Sequence, residues 1–316
     1  MKQIFSRLQS GQPVSSETRS VFRNFFFLSV VQATNFIIPL IILPYLLVVV
    51  GVENFGLISL AQSVMSYFII ITDFGFNLTS TREIVSNRHD LKKVSEIVST
   101  TLVLKTMLSF ACFVVLLLCL RFVPMLADHS LFYLISFSLV IGQLVMPTWF
   151  FQGMEKMQFL AYINVVGKTV FTVLIFFLVV KPGDYMYVPL YLSLGNILSG
   201  ILGIAIMFRR FKLNFRMPSV QVLKKELKTG GSIMLSNFAI NAYVNSNIVI
   251  LGFFSNTTVV GYYSVAEKIL YCVRQIMNLF FQATYPQLCK VAQISHQKVL
   301  LFFRNFLVPF TIFITV

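Results

Sequence analysis

The sequence predicts an all-α polytopic membrane protein of about nine transmembrane helices, and three observations predict it. Of its 316 residues, 57% are hydrophobic and only 11% charged, with a mean hydropathy of +0.82. No soluble core uses that much apolar sequence. The apolar residues fall in successive runs, each near the roughly 20 residues that cross a bilayer. The basic residues behind the net charge of +14 collect in alternate connections between those runs. Such alternation is an orientation signal, so the charge reads as topology and excludes a DNA- or RNA-binding surface.

The N-terminal tail carries Lys2, Arg7, Arg19 and Arg23 and is placed in the cytoplasm. No cleavable signal is expected, because residues 1–19 are polar and the first apolar run is too long for a signal-peptide core. Span 1, residues 22–50, holds Pro39 and Pro44, which should kink it, with the polar Gln32 and Asn35. The connection over residues 51–56 has no Lys or Arg and is expected outside. Span 2, residues 57–76, ends near Asp73. Residues 77–96 carry Arg82, Arg88, Lys92 and Lys93 beside Ile84, Val85, Leu91 and Val94, which predicts an amphipathic segment on the inner leaflet.

Span 3, residues 97–122, contains Lys105, close enough to the inner face to snorkel. Span 4, residues 131–152, ends at Trp149, a residue suited to an interfacial girdle. Span 5, residues 158–180, carries Asn164, Lys168 and Thr172 at i, i+4 and i+8, hence on one face, and Lys168 is too deep to snorkel. Span 6 covers residues 185–208. The linker 209–228 is the most basic stretch and reads as a solvated hinge. Span 7, residues 230–254, places Asn237, Asn241 and Asn245 at i, i+4 and i+8. Span 9 begins near Val299.

Span 8, residues 260–282, is apolar in length but carries Glu267, Lys268 and Arg274. An ionised residue at mid-helix costs about 2.5 to 3.5 kcal/mol, and each large aliphatic returns only about 0.3 to 0.6. On a 3.6-residue period Glu267, Tyr271 and Arg274 share a stripe that needs a bundle interior or a watery cavity. Intramembrane ionisable residues mark functional sites. An internal Glu/Arg pair that only fixes register remains the alternative.

Cys112, Cys119, Cys272 and Cys289 follow no metal spacing and read as free packing residues. His89, His129 and His296 are scattered, so no metal site is expected. Short loops without paired carboxylates or a metal motif argue against an enzyme.

Phe55-Gly-Leu-Ile-Ser-Leu-Ala-Gln62 aligns with Val260-Gly-Tyr-Tyr-Ser-Val-Ala-Glu267. Gly56, Ser59 and Ala61 recur as Gly261, Ser264 and Ala266, and both blocks enter from the same side, which predicts a parallel repeat. Residues 1–208 would form a six-helix lobe, 209–228 the basic cytoplasmic linker, and 229–316 three helices of a second, incomplete lobe. A full second copy would need roughly another 95 residues at this offset. Between copies Gln62 becomes Glu267 and Ile69 becomes Arg274.

Pro39-Leu-Ile-Ile-Leu-Pro-Tyr45, Gly51-Val-Glu-Asn-Phe-Gly56, Asp73-Phe-Gly-Phe-Asn77 with Arg82-Glu83, Trp149-Phe-Phe-Gln-Gly-Met-Glu155, Gly230-Gly231 and Val260-Gly-Tyr-Tyr-Ser-Val-Ala-Glu-Lys268 together resemble the Wzx-like O-antigen and polysaccharide flippases. These are a branch of the multidrug/oligosaccharidyl-lipid/polysaccharide exporter superfamily. The resemblance implies two lobes around a central cavity in the bacterial inner membrane. It also implies movement of undecaprenyl-pyrophosphate-linked oligosaccharide from the cytoplasmic to the periplasmic leaflet, with a polysaccharide polymerase and a chain-length regulator as partners.

A diphosphate cannot cross hydrocarbon bare, so Lys168 and Arg274 are the expected headgroup cations. Asn237, Asn241, Asn245, Gln32 and Asn35 would bind sugar hydroxyls. Alternating access would be driven without a bound cofactor, by a proton or cation gradient acting at Asp73 or Glu267. A multidrug/cation antiporter, a polymerase or glycosyltransferase, and a non-functional truncated membrane protein are the competing readings.

Overall fold

The computed structural model describes residues 16–292. They are helical throughout, with no strand among the described residues: α1 Ser16–Val49, α2 Gly51–Asp73, α3 Phe76–Asn87, α4 Leu91–Phe122, α5 Pro124–Ala127, α6 Ser130–Ser136, α7 Ser138–Val145, α8 Thr148–Gly153, α9 Met157–Leu178, α10 Val188–Arg210, α11 Val220–Phe254 and α12 Thr257–Ala292. A 3₁₀ turn, Pro182–Tyr187, precedes α10. By length and composition, 7 segments among the described residues can cross a membrane. The ninth expected span lies outside the described residues. The eighth is one unbroken helix, α12, whose charges set it apart from the apolar seven. The chain divides into two compact units after Tyr262, within α12.

Local chemistry explains the ends of these helices. Asp90 caps α4, its carboxylate accepting from the Lys92 and Lys93 amides at 2.9 and 3.2 Å, which satisfies two of the orphan N–H groups of a helix start. Ser219 caps α11 in the same way. Arg209 and Arg210 close α10, where cations complement the negative end of the dipole. Between α2 and α3 the chain turns through two left-handed residues, Phe74 with φ 46 and Gly75 with φ 80. Gly75 suits the second because it carries no Cβ.

Small residues and carbonyl-seeking hydroxyls hold the apolar helices together, as expected where lipid removes any hydrophobic drive between helices. Helices α9 and α10 approach until Gly167 lies against Gly195 and Ser199, and the Ser199 hydroxyl donates across to the Ile163 carbonyl at 2.8 Å. On α1 the Tyr45 hydroxyl lies 2.9 and 2.8 Å from the Phe176 and Val179 carbonyls at the end of α9, where helix carbonyls lack intrahelical donors. Helix α11 runs along α2, with Tyr67 bonded to Ser246 at 2.9 Å and its ring tilted against that of Phe238.

The repeat-related blocks meet. A Cβ on Gly56 would overlap the Thr257 carbonyl, and one on Gly261 would overlap the Val52 carbonyl. Gly56 and Gly261 are 205 residues apart, and so are Val52 and Thr257. The contact is therefore reciprocal, the form that two-fold-related copies of one element produce.

Several expectations change. The connection 51–56 is no loop, because Gly51, with φ 80, restarts the helix at once. Span 4 is interrupted at Met146 and Pro147. Trp149 is no girdle residue: it is 0% exposed, in a cluster with Phe150, Phe151, Ile84, Val94 and Leu213. That cluster also claims half of the amphipathic segment. Ile84 and Val94 face protein, while Val85 and Leu91 remain outside. The first part of the linker is a fitted strap and no solvated hinge. The Asn214 and Arg216 amides donate to Ser95 and Ser99 on α4 at 3.3 and 2.9 Å.

Candidate functional site

The deep lysine of α9 sits in a pocket. Lys168 Nζ donates to Asn35 Oδ1 of α1 at 2.6 Å, and both line a cavity of about 120 Å³ with Thr34, Thr172, Tyr191 and Asn196. The periodicity that put Lys168 and Thr172 on one helix face thus delivers both to one cavity, joined by Asn196 from the middle of α10. Asn164, one turn earlier, is buried without a partner for its Oδ1. No carboxylate lines this cavity, and Lys168 forms no ion pair among the described residues. A cation held by one neutral amide inside an apolar bundle is costly unless a ligand supplies the missing charge.

Lys105 has the opposite arrangement. It does not snorkel: it is 1% exposed, and its ammonium reaches Asp73 Oδ1 at 3.2 Å. Asn77 donates to the other oxygen, Oδ2, at 2.9 Å. Asp73 is thus locked between α4 and the start of α3 by two donors. Charge and lone pairs are matched there, as a buried pair needs.

The remaining expected residues are placed as follows. Gln32 is exposed on α1 and lies outside the Lys168 cavity. Asn237, Asn241 and Asn245 are half-buried. Asn241 faces α2, where it accepts from the Ser66 hydroxyl at 3.2 Å. In the second unit Glu267 is half-buried and Arg274 exposed. The cysteines at 112, 119 and 272 are free, and Cys289 lies outside the residues whose side chains are described. Among the described residues no cluster of His, Cys, Asp or Glu could hold a metal.

A second cavity, not anticipated from the sequence, lies at the basic end of the bundle. It encloses about 1000 Å³ between α3, the first turns of α4, the strap and the first turns of α11. The signal was present as Arg82, Lys93, Arg216 and Lys225, but these come from four separate stretches that only the strap's attachment brings together.

Residues 21–292 match the family described as "Polysaccharide biosynthesis protein". The chain belongs to that family. It is 29% identical over 279 residues to a protein of Escherichia coli (strain K12) named "Putative O-antigen transporter", an alignment covering 88% of this chain and 67% of the relative. A Shigella dysenteriae protein of the same name is 28% identical over 275 residues, covering 85% and 67%. No solved structure matches the chain.

Proposed function

We propose that this membrane protein is a flippase that moves undecaprenyl-pyrophosphate-linked O-antigen repeat units from the cytoplasmic to the periplasmic leaflet of the bacterial inner membrane. Membership of the polysaccharide biosynthesis family and likeness to two proteins named as O-antigen transporters support the substrate class. The single observation that carries the reading is Lys168, a membrane-depth cation whose bonded partner is the neutral Asn35. It offers a diphosphate oxygen the countercharge that hydrocarbon cannot. Asn35, Asn196, Thr172 and Tyr191 around it donate and accept as sugar hydroxyls require.

The prenyl tail stays in the bilayer during alternating access, with Arg274 as a further headgroup cation. Coupling runs through a proton or cation at Glu267 or Asp73. At Asp73 the incoming ion has to displace Lys105, so that site works only as a switch between two partners. A polymerase and a chain-length regulator receive the product on the far side. A cation antiporter is disfavoured because its cavity needs carboxylates, and the Lys168 cavity has none.

The test replaces the chromosomal copy in the host strain. Lys168→Ala should cut surface polysaccharide at least about tenfold, the scale of losing one charged contact, with the protein still in the membrane. Lys168→Arg should retain part of the export. Full export by Lys168→Ala would end the reading.

A further inference from the structure

The cavity at the basic end has its own charge balance. Glu96 takes both Lys93, at 3.3 Å, and Arg216, at 3.8 Å, so one carboxylate serves two cations and a positive charge is left over. Glu226 is buried and lines the cavity together with Glu83. It lies in the first turns of α11, beside Lys224, Lys225 and Lys228. The helix has 35 residues, about 52 Å long at about 1.5 Å per residue, so these turns project beyond a hydrocarbon core of about 30 Å. Arg82 and Lys225 also line the cavity and form no ion pair among the described residues. Four cations, Arg82, Lys93, Arg216 and Lys225, therefore face three carboxylates, Glu83, Glu96 and Glu226, and the cavity is one anion short.

Two further features narrow the occupant. The hydroxyls of Thr79, Thr100 and Thr229 each donate to a carbonyl of their own helix turn and keep lone pairs to accept from a ligand. Apolar side chains on the same cavity wall are bare: Leu78 is 61% exposed and Met217 78%. Free phosphates and sugars have no use for them, whereas an amphiphile with an anionic head and a hydrocarbon tail satisfies both. A volume of about 1000 Å³ is at the upper end of small-ligand sites, room for a phosphorylated head bearing sugar.

We infer that this cavity is a second ligand site, separate from Lys168, that captures the phosphate or diphosphate headgroup of a prenyl-linked sugar before it reaches the deep cation. Arg82 and Lys225 take the phosphate oxygens, and the threonines take the sugar. The order of the two sites rests on the flippase reading; the site itself rests only on its charge and its exposed apolar wall.

The experiment measures equilibrium binding of farnesyl diphosphate to the purified full chain in neutral-lipid nanodiscs, against empty nanodiscs, with inorganic pyrophosphate and farnesol as competitors. Arg82→Gln with Lys225→Gln should weaken binding at least about tenfold. The conservative pair Arg82→Lys with Lys225→Arg should restore most of it, and Arg121→Gln, exposed at the other end of the bundle and outside both cavities, should leave binding within about twofold. Pyrophosphate should compete only at much higher concentration than unlabelled farnesyl diphosphate, and farnesol poorly. Unchanged binding by the Gln pair while it elutes as a single folded species would overturn the site. Pyrophosphate competing as well as farnesyl diphosphate would overturn the lipid-borne ligand. Normal export by Lys168→Ala alongside lost binding by the Gln pair would sink the flippase reading and leave the capture site standing.

Discussion

Two lysines of the membrane interior divide the labour at the scale of single residues. Lys105 is matched by Asp73 and closed off from outside, while Lys168 has a neutral partner and a cavity in front of it. Their depth could be read from the sequence, but not their partners. Asp73 lies 32 residues from Lys105, and Asn35 lies 133 from Lys168. The snorkelling reading failed for that reason, since an inward carboxylate outcompetes the interface once helix packing supplies it. Removing one member of a buried pair strands the other charge and costs about 3–5 kcal/mol. Lys105→Ala should therefore lower the apparent melting temperature in detergent steeply, and Asp73→Asn combined with Lys105→Met should recover most of the loss. Lys168→Met, which removes an uncompensated charge, should melt no lower than the parent. Thermal melts followed by size-exclusion chromatography separate these outcomes. Equal losses at both lysines would mean that Lys168 is as structural as Lys105.

At the scale of elements, run length was enough to locate the first seven spans, because a bilayer imposes the same apolar length on any helix that crosses it. The breaks and attachments escaped. Pro147 marked a break only in hindsight, since Pro39 and Pro44 sit inside an unbroken α1. The strap looked like linker because its anchors, Ser95 and Ser99, are ordinary polar residues of another helix. Gly56 and Gly261, aligned in the sequence, make a reciprocal contact in which each glycine admits the backbone one turn before its counterpart. Overpacking such a contact costs about 1–3 kcal/mol. Gly56→Leu and Gly261→Leu should each lower thermal stability by that order, whereas Gly183→Leu, with open space around it, should be neutral. The double Gly56/Gly261 variant should fall short of the sum of the single losses, because the first substitution already parts the helices. Full additivity would mean that the two glycines are not parts of one contact.

For the whole molecule, the decisive quantity is the charge difference between the two ends of the bundle. Arg82, Arg88, Lys92 and Lys93 share one end with Arg209, Arg210, Lys212, Arg216 and the lysines that open α11, whereas Arg121 and Lys181 stand at the other. Anionic lipid on the inner leaflet favours each nearby cation by about 1 kcal/mol, so inversion would forfeit several such contributions at once. The basic end should therefore face the cytoplasm, where the capture cavity opens toward the side on which lipid-linked sugars would be presented. With the native cysteines replaced by serine, single cysteines at Ser86 and at Gly183 report the two ends, both at exposed positions. A membrane-impermeant maleimide reaching the periplasm of cells with an intact inner membrane should label Gly183→Cys and spare Ser86→Cys until that membrane is permeabilised. The reverse pattern would turn the bundle over and place the capture cavity on the side where product leaves, which neither the flippase reading nor the order of its two sites could survive.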